Sequence, residues 1–93
     1  MDIIHERNDI KGVFTAEEDG VKAGEMTYSQ AGPDKIIIDH TEVNPEFKGR
    51  GIGKIMVMAA VGYAREKNIK ILPLCPFAKA AFDKNKDIQD VLF

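Results

Sequence analysis

The sequence predicts an α+β domain: a mixed, mostly antiparallel sheet with a central splay, one long helix after a glycine-rich loop, and a short C-terminal helix. Three observations carry this prediction. An Asp-Gly step joins two strand-like segments in the first third of the chain, Ile36-Ile37-Ile38 marks a strand interior, and from Ile52 onward the apolar spacing lengthens to three and four residues. The 93 residues, 44% hydrophobic and 30% charged, suffice for one domain with one core.

Met1 to Arg7 is a candidate first strand. Val13 to Glu17 and Val21 to Tyr28 flank Asp19-Gly20, whose glycine supplies the positive φ of a tight turn, so the pair reads as an antiparallel hairpin. Lys35 to Val43, bounded by Gly-Pro-Asp before and Asn-Pro after, reads as a central strand. Its first half is apolar on both faces. Its second half alternates, which places His40 and Glu42 on one face and Thr41 and Val43 on the other. Ile52, Ile55, Met56, Ala59, Ala60, Tyr63 and Ala64 then recur at helical spacing over about four turns, with Asn68 as the stop. Ile69 to Leu74 is the next strand; Pro73 has no N–H to donate to a ladder, so the sheet opens there. Pro76 through Asn85 forms a short helix with proline in its first turn, and Ile88 to Phe93 docks as a last helical turn.

Charge and cysteine content exclude several functions. Thirteen Lys+Arg against fifteen Asp+Glu give a net charge of −2, and the basic residues are not interleaved with aromatics, so no nucleic-acid partner is expected. The one cysteine, Cys75, makes no internal disulfide, and with His5 and His40 it has no metal-ligand spacing; no metal is expected. No apolar run approaches the ~20 residues of a membrane span, and the charged opening is no secretory signal, so the expected compartment is the cytoplasm, with no membrane partner.

Chemistry concentrates in Phe47-Lys48-Gly49-Arg50-Gly51-Ile52-Gly53-Lys54, between the central strand and the long helix. Glycine removes the Cβ that would hold an anion off the backbone, and a helix N-terminus offers unpaired N–H groups and a positive dipole end. Such a turn is a seat for a phosphate or diphosphate, and Lys48, Arg50 and Lys54 add attraction. A nucleotide-hydrolysing loop would need Ser or Thr after its lysine, where Ile55 stands. A dinucleotide fingerprint would need Gly-x-Gly-x-x-Gly; the spacing here is Gly-x-Gly-x-Gly.

Glu46 to Gly53 resembles the coenzyme A pyrophosphate loop of the GCN5-related N-acetyltransferases, in which a basic or Gln residue is followed by x-x-Gly-x-Gly or Ala. His40-Thr41-Glu42-Val43 before the loop and Leu74-Cys75-Pro76-Phe77 after it resemble a very small, single-domain branch of that family. The likeness runs from the hairpin to Phe82. It implies a three-layer α/β arrangement whose sheet splays between Lys35–Val43 and Ile69–Leu74, with acetyl-CoA in the notch. The pantetheine arm would pair with backbone at Glu42 and Val43. The diphosphate would rest on amides of Gly49, Arg50, Gly51, Ile52 and Gly53, screened by Lys48, Arg50 and Lys54.

Acetyl transfer needs a neutral amine, a polarised thioester carbonyl and a proton for the departing thiolate. In the motif's context His40 is the preferred proton acceptor, because imidazole titrates near neutral pH, and Glu42 is the second candidate. A backbone N–H near Val43 would polarise the carbonyl. Cys75, directly after the strand on the far wall of the notch, would protonate the leaving thiolate or accept the acetyl group itself. His5 is read as a structural residue. Larger members of the family carry a tyrosine after the last strand and helices closing over the acceptor, and neither has a counterpart here. The resemblance thus implies an N-acetyltransferase acting on a small amine or on a protein lysine or N-terminus, as a monomer or weak homodimer; the alternative is a CoA-binding or interaction module that transfers nothing.

Overall fold

The computed structural model describes residues 1–93, folded as five strands, two α-helices and two 3₁₀ segments. Strands β1 (Asp2–Arg7), β2 (Lys11–Glu18), β3 (Val21–Gln30), β4 (Lys35–Val43) and β5 (Lys70–Pro73) lie in sequence order across one sheet. Each of the first four pairs antiparallel with the next, while β5 runs parallel to β4 after the crossover through α1 (Ile52–Lys67). The sequence places a strand at Lys35 to Val43 and a hairpin across Asp19-Gly20, and both are present. Asp19 and Gly20 have φ of 52° and 79°, the paired left-handed conformation that a two-residue turn needs to match strand twist. The middle strand of the five is β3 rather than β4, because a short tail segment is all that lies beyond β5: Leu92 bridges Ile71 there.

Alternation along the strands turns Phe14, Ala16, Met26, Tyr28, Ile36, Ile38 and Ile71 to one face, where Ile52, Met56, Val57, Ala60, Val61 and Ala64 of α1 cover them. Burying such side chains stabilises the fold by about 1.5–3 kcal/mol each for the larger ones. Asn68, at φ 57° and ψ 47°, ends α1 by donating its N–H to the carbonyls of Ala64 and Arg65. On the opposite face of β1 to β4, residues such as Val13, Thr15, Thr27 and Ile37 are neither fully buried nor exposed. Only Asn8, Asp9 and Ile10 separate β1 from β2.

At the far end of the sheet His5 stacks on Phe14, with ring centroids 4.1 Å apart, and its Nε2 lies 2.6 Å from the Tyr28 hydroxyl. Burial, followed by the nearby Arg7 charge, lowers the His5 pKa, and burial first of all pushes the Tyr28 phenol up to about 12. This is a structural role for His5. The Tyr28 ring lies directly over Gly12, where a Cβ would stand 2.2 Å from the ring carbon Cζ. The tail forms a 3₁₀ segment, Lys86–Val91, tied down where Arg65 pairs with Asp90 at 2.8 Å and donates to the Asp87 carbonyl.

Candidate functional site

The site is built where β4 and β5 part. They pair from Lys35↔Lys70 to Ile38↔Pro73 and no further. At the fork the Ile38 carbonyl accepts from two successive amides, Leu74 N at 3.1 Å and Cys75 N at 3.2 Å. Pro73 has no N–H to extend the ladder, and Pro76 opens α2 (Pro76–Lys84), so the chain leaves the sheet plane within three residues. Residues 39–43 of β4 continue with no strand on that edge.

A bulge sets which side chains face the fork. Across β3, Tyr28 pairs with Ile38 and Thr27 with His40, leaving Asp39 as the extra residue. Thr41 and Val43 thereby continue on the core face begun by Ile36 and Ile38, while His40 and Glu42 point to the open face, their Nε2 and Oε2 atoms 3.6 Å apart. Both side chains are exposed, at 64% and 71%. In the core direction, Thr41 Oγ1 lies 3.1 Å from Cys75 Sγ across the fork. Cys75 is 5% exposed, and its sulfur also accepts the Ala78 N–H at 3.3 Å as the N-cap of α2.

The glycine loop closes the other side. Asn44 caps a 3₁₀ turn at Pro45–Phe47, accepting the Glu46 N–H, and Phe47 is buried as the loop's anchor. Gly49 and Gly51 have φ of 80° and 73°, and a Cβ built on either meets nothing within 4 Å. Their requirement is conformational, and they leave the N-terminus of α1 open: no side chain caps it. Gly53 differs: a Cβ there would lie 2.2 Å from Cζ of Phe77, so this glycine permits the close approach of α1 and α2.

Loop, β4 edge and α2 enclose a cleft of about 450 Å³ lined by Thr41, Glu42, Val43, Lys48, Gly49, Gly51, Ile52, Gly53, Phe47 and Phe77. Of the residues named from the sequence for the cofactor, Val43, Lys48, Gly49, Gly51, Ile52 and Gly53 line this cleft, together with Thr41 and Phe77, which were not named for it; Phe77 is 45% exposed. Arg50 does not line the cleft. Its guanidinium pairs with both oxygens of Glu18, at 2.8 and 2.7 Å. Lys54 lies one step along α1, in a neighbouring hollow of about 370 Å³ shared with Phe77 and Lys84. Neither His40 nor Cys75 lines the cleft. A larger hollow of about 700 Å³ lies near Glu6, Lys11 and Asp39 on the sheet, away from the glycine loop. No helix is long and apolar enough to cross a membrane, and no cluster of three or more His, Cys, Asp or Glu could hold a metal.

Comparison with known proteins gives the class to which this forked sheet and glycine loop belong. The family model for GCN5-related N-acetyltransferases matches residues 13–91. Among solved structures, a GCN5-like candidate N-acetyltransferase from Staphylococcus aureus is 36% identical, with 97% of this chain and 87% of that one covered and a TM-score of 0.71. A ribosomal-protein-alanine N-acetyltransferase from Brucella melitensis biovar Abortus shares the fold at 19% identity and TM-score 0.70, over 81% of this chain and 62% of its own. A predicted acetyltransferase of Clostridium acetobutylicum, solved with acetyl-CoA, does so at 22% and 0.63, over 81% and 56%. This chain thus spans under two-thirds of the length of the latter two. No curated protein matches significantly. The chain belongs to the GCN5-related N-acetyltransferase family, and so to the acyl-CoA N-acetyltransferases.

Proposed function

We propose that the protein transfers the acetyl group of acetyl-CoA to an amine on a small molecule or on a protein lysine or N-terminus. The observation that carries this reading is the pairing of two left-handed glycines at an uncapped helix start with a strand edge left free by the fork, on one cleft of about 450 Å³. Backbone amides from Gly49 to Gly53 suit a diphosphate, and Lys48 stands on the same wall. Asn44 donates its N–H to Ala23, so strand alternation turns the backbone of Glu42 toward β3 and that of Thr41 and Val43 toward the free edge; a pantetheine amide can pair at Val43 as expected, and at Thr41 in place of Glu42. A thioester laid along that edge has the Val43 N–H as an oxyanion donor.

The acceptor amine approaches from the open face, where His40 and Glu42 stand. His40 takes a proton from the acceptor ammonium, directly or through water, to free the neutral amine that attacks, and Glu42 at 3.6 Å stabilises the imidazolium that results. Arg50 reaches the diphosphate only by leaving Glu18. Cys75, 3.1 Å from Thr41 Oγ1 across the fork, is the proton source for the leaving sulfur. The uncovered sheet face over β1 to β4 fits an extended or macromolecular acceptor better than an enclosed metabolite.

The test is incubation with acetyl-CoA and two acceptors, poly-L-lysine and hydroxylamine, with CoA release followed by chromatography. Amine-dependent CoA release is expected. Tight CoA binding without release to any amine would return the protein to a binding module, and stabilisation by NAD or ATP equal to that by CoA would remove the cofactor assignment.

A further inference from the structure

Cys75 has the chemistry for the leaving group but not the exposure: it is 5% exposed, its sulfur is occupied by Thr41 Oγ1 and Ala78 N, and it does not line the cleft. Thr41 does line the cleft. Resting on the acetyl-transfer reading above, we propose that Thr41 is a catalytic residue, its hydroxyl passing a proton from Cys75 Sγ to the departing CoA sulfur, and that transfer is direct, with no acetyl-Cys75 intermediate.

Nucleophilic attack requires the sulfur within about 3–3.5 Å of the thioester carbon along an open line. Around Cys75 Sγ those positions are taken by Thr41 at 3.1 Å and Ala78 N at 3.3 Å. A hydroxyl is both donor and acceptor, so it can hand on one proton while receiving another. In the step, the amine nitrogen forms a bond to the acetyl carbon and gives up its extra proton to water on the open face, the C–S bond breaks, and its electron pair stays on the CoA sulfur. That sulfur takes the Thr41 hydroxyl proton as Thr41 Oγ1 takes the Cys75 thiol proton. Cys75 is left as a thiolate, held by the Ala78 N–H and the N-terminus of α2 until it regains a proton from water. The fold supplies the alignment. The bulge at Asp39 puts Thr41 rather than His40 on the cleft side, and the Pro73 fork sets Cys75 opposite it.

The measurement compares wild type, Thr41→Val, Thr41→Ser and Cys75→Ala, using acetyl-CoA with hydroxylamine and poly-L-lysine. Thr41→Val keeps shape and strand propensity but has no proton to give; kcat is expected to fall by about 10²-fold, with KM for acetyl-CoA changed by less than about threefold. Thr41→Ser restores most of the rate, which a purely structural role for the methyl group would not allow. In mixtures of H₂O and D₂O the wild-type rate curves with more than one proton in flight, and Thr41→Val loses that curvature. Rapidly quenched wild type carries no acetyl group on Cys75 by mass spectrometry. Wild-type kcat in Thr41→Val, or an acetyl-Cys75 species that forms and passes its acetyl on, overturns the relay while leaving acetyl transfer standing. A wild type that neither binds CoA nor releases it to an amine overturns both readings.

Discussion

Replacing Gly51 by alanine separates backbone strain from contact loss, because nothing in the structure stands in the way of the added methyl group. At φ 73° and ψ 21° the residue is left-handed, a conformation that costs an L-residue with a Cβ roughly 1–2 kcal/mol. Gly62, exposed on α1 and equally unobstructed, has no positive φ; there the same substitution gains about 0.5–1 kcal/mol of helix propensity. The two variants therefore differ by roughly 1.5–3 kcal/mol, with opposite signs relative to wild type. For a domain of this size each kcal/mol moves Tm by about 4–8 °C, well within reach of thermal unfolding followed by circular dichroism. Gly51→Asn, which tolerates the left-handed region, should fall between wild type and Gly51→Ala. Adding CoA should raise the Tm of Gly62→Ala as it does wild type, and raise that of Gly51→Ala less, because a relaxed loop no longer aims its amides together. If Gly51→Ala melts with wild type and responds equally to CoA, the loop does not hold this conformation in solution and the argument from its geometry is wrong.

Gly12→Ala should destabilise by about 1–3 kcal/mol, since its Cβ would strike the buried Tyr28 ring, as read from the denaturant midpoint; an unchanged midpoint would mean the ring does not lie there. His5 titrates lower in the fold than the ordinary value of 6.5, so the unfolded chain binds the extra proton. Stability is then full above pH 6.5 and declines as pH falls from there toward the depressed folded-state value, and His5→Gln should remove that slope in urea titrations. Glu18→Gln frees Arg50 and is expected to tighten CoA binding several-fold in calorimetry at low salt, with stability altered by no more than about 1 kcal/mol; weaker binding would show that the ion pair shapes the loop instead of competing for it.

The strands and helices were legible because each has a local cause: the Asp-Gly turn, the Ile36-Ile37-Ile38 run, the helical period from Ile52, and Asn68 as a left-handed stop. The fork was legible through Pro73, and the loop through its three glycines. What stayed hidden depends on contacts between segments far apart in sequence. Gly53 looks like its two neighbours in the chain, yet its smallness serves the Phe77 ring, 24 positions on. Arg50 reads as a free cation until Glu18 arrives from the end of β2. Thr41 gives no signal of its own; only the bulge at Asp39 and the fork bring it against Cys75. His40 and Glu42 fall side by side as alternation requires, but only Glu42 lines the cleft.

The most direct test is a titration of the ¹⁵N-labelled protein with CoA, followed amide by amide. Progressive shifts largest at Gly49, Arg50, Gly51, Ile52 and Gly53, with a second group at Thr41 and Val43, are the predicted result. Shifts centred on the hollow near Glu6 and Asp39, or none at saturating CoA, would contradict the claim that this loop and this strand edge hold the cofactor.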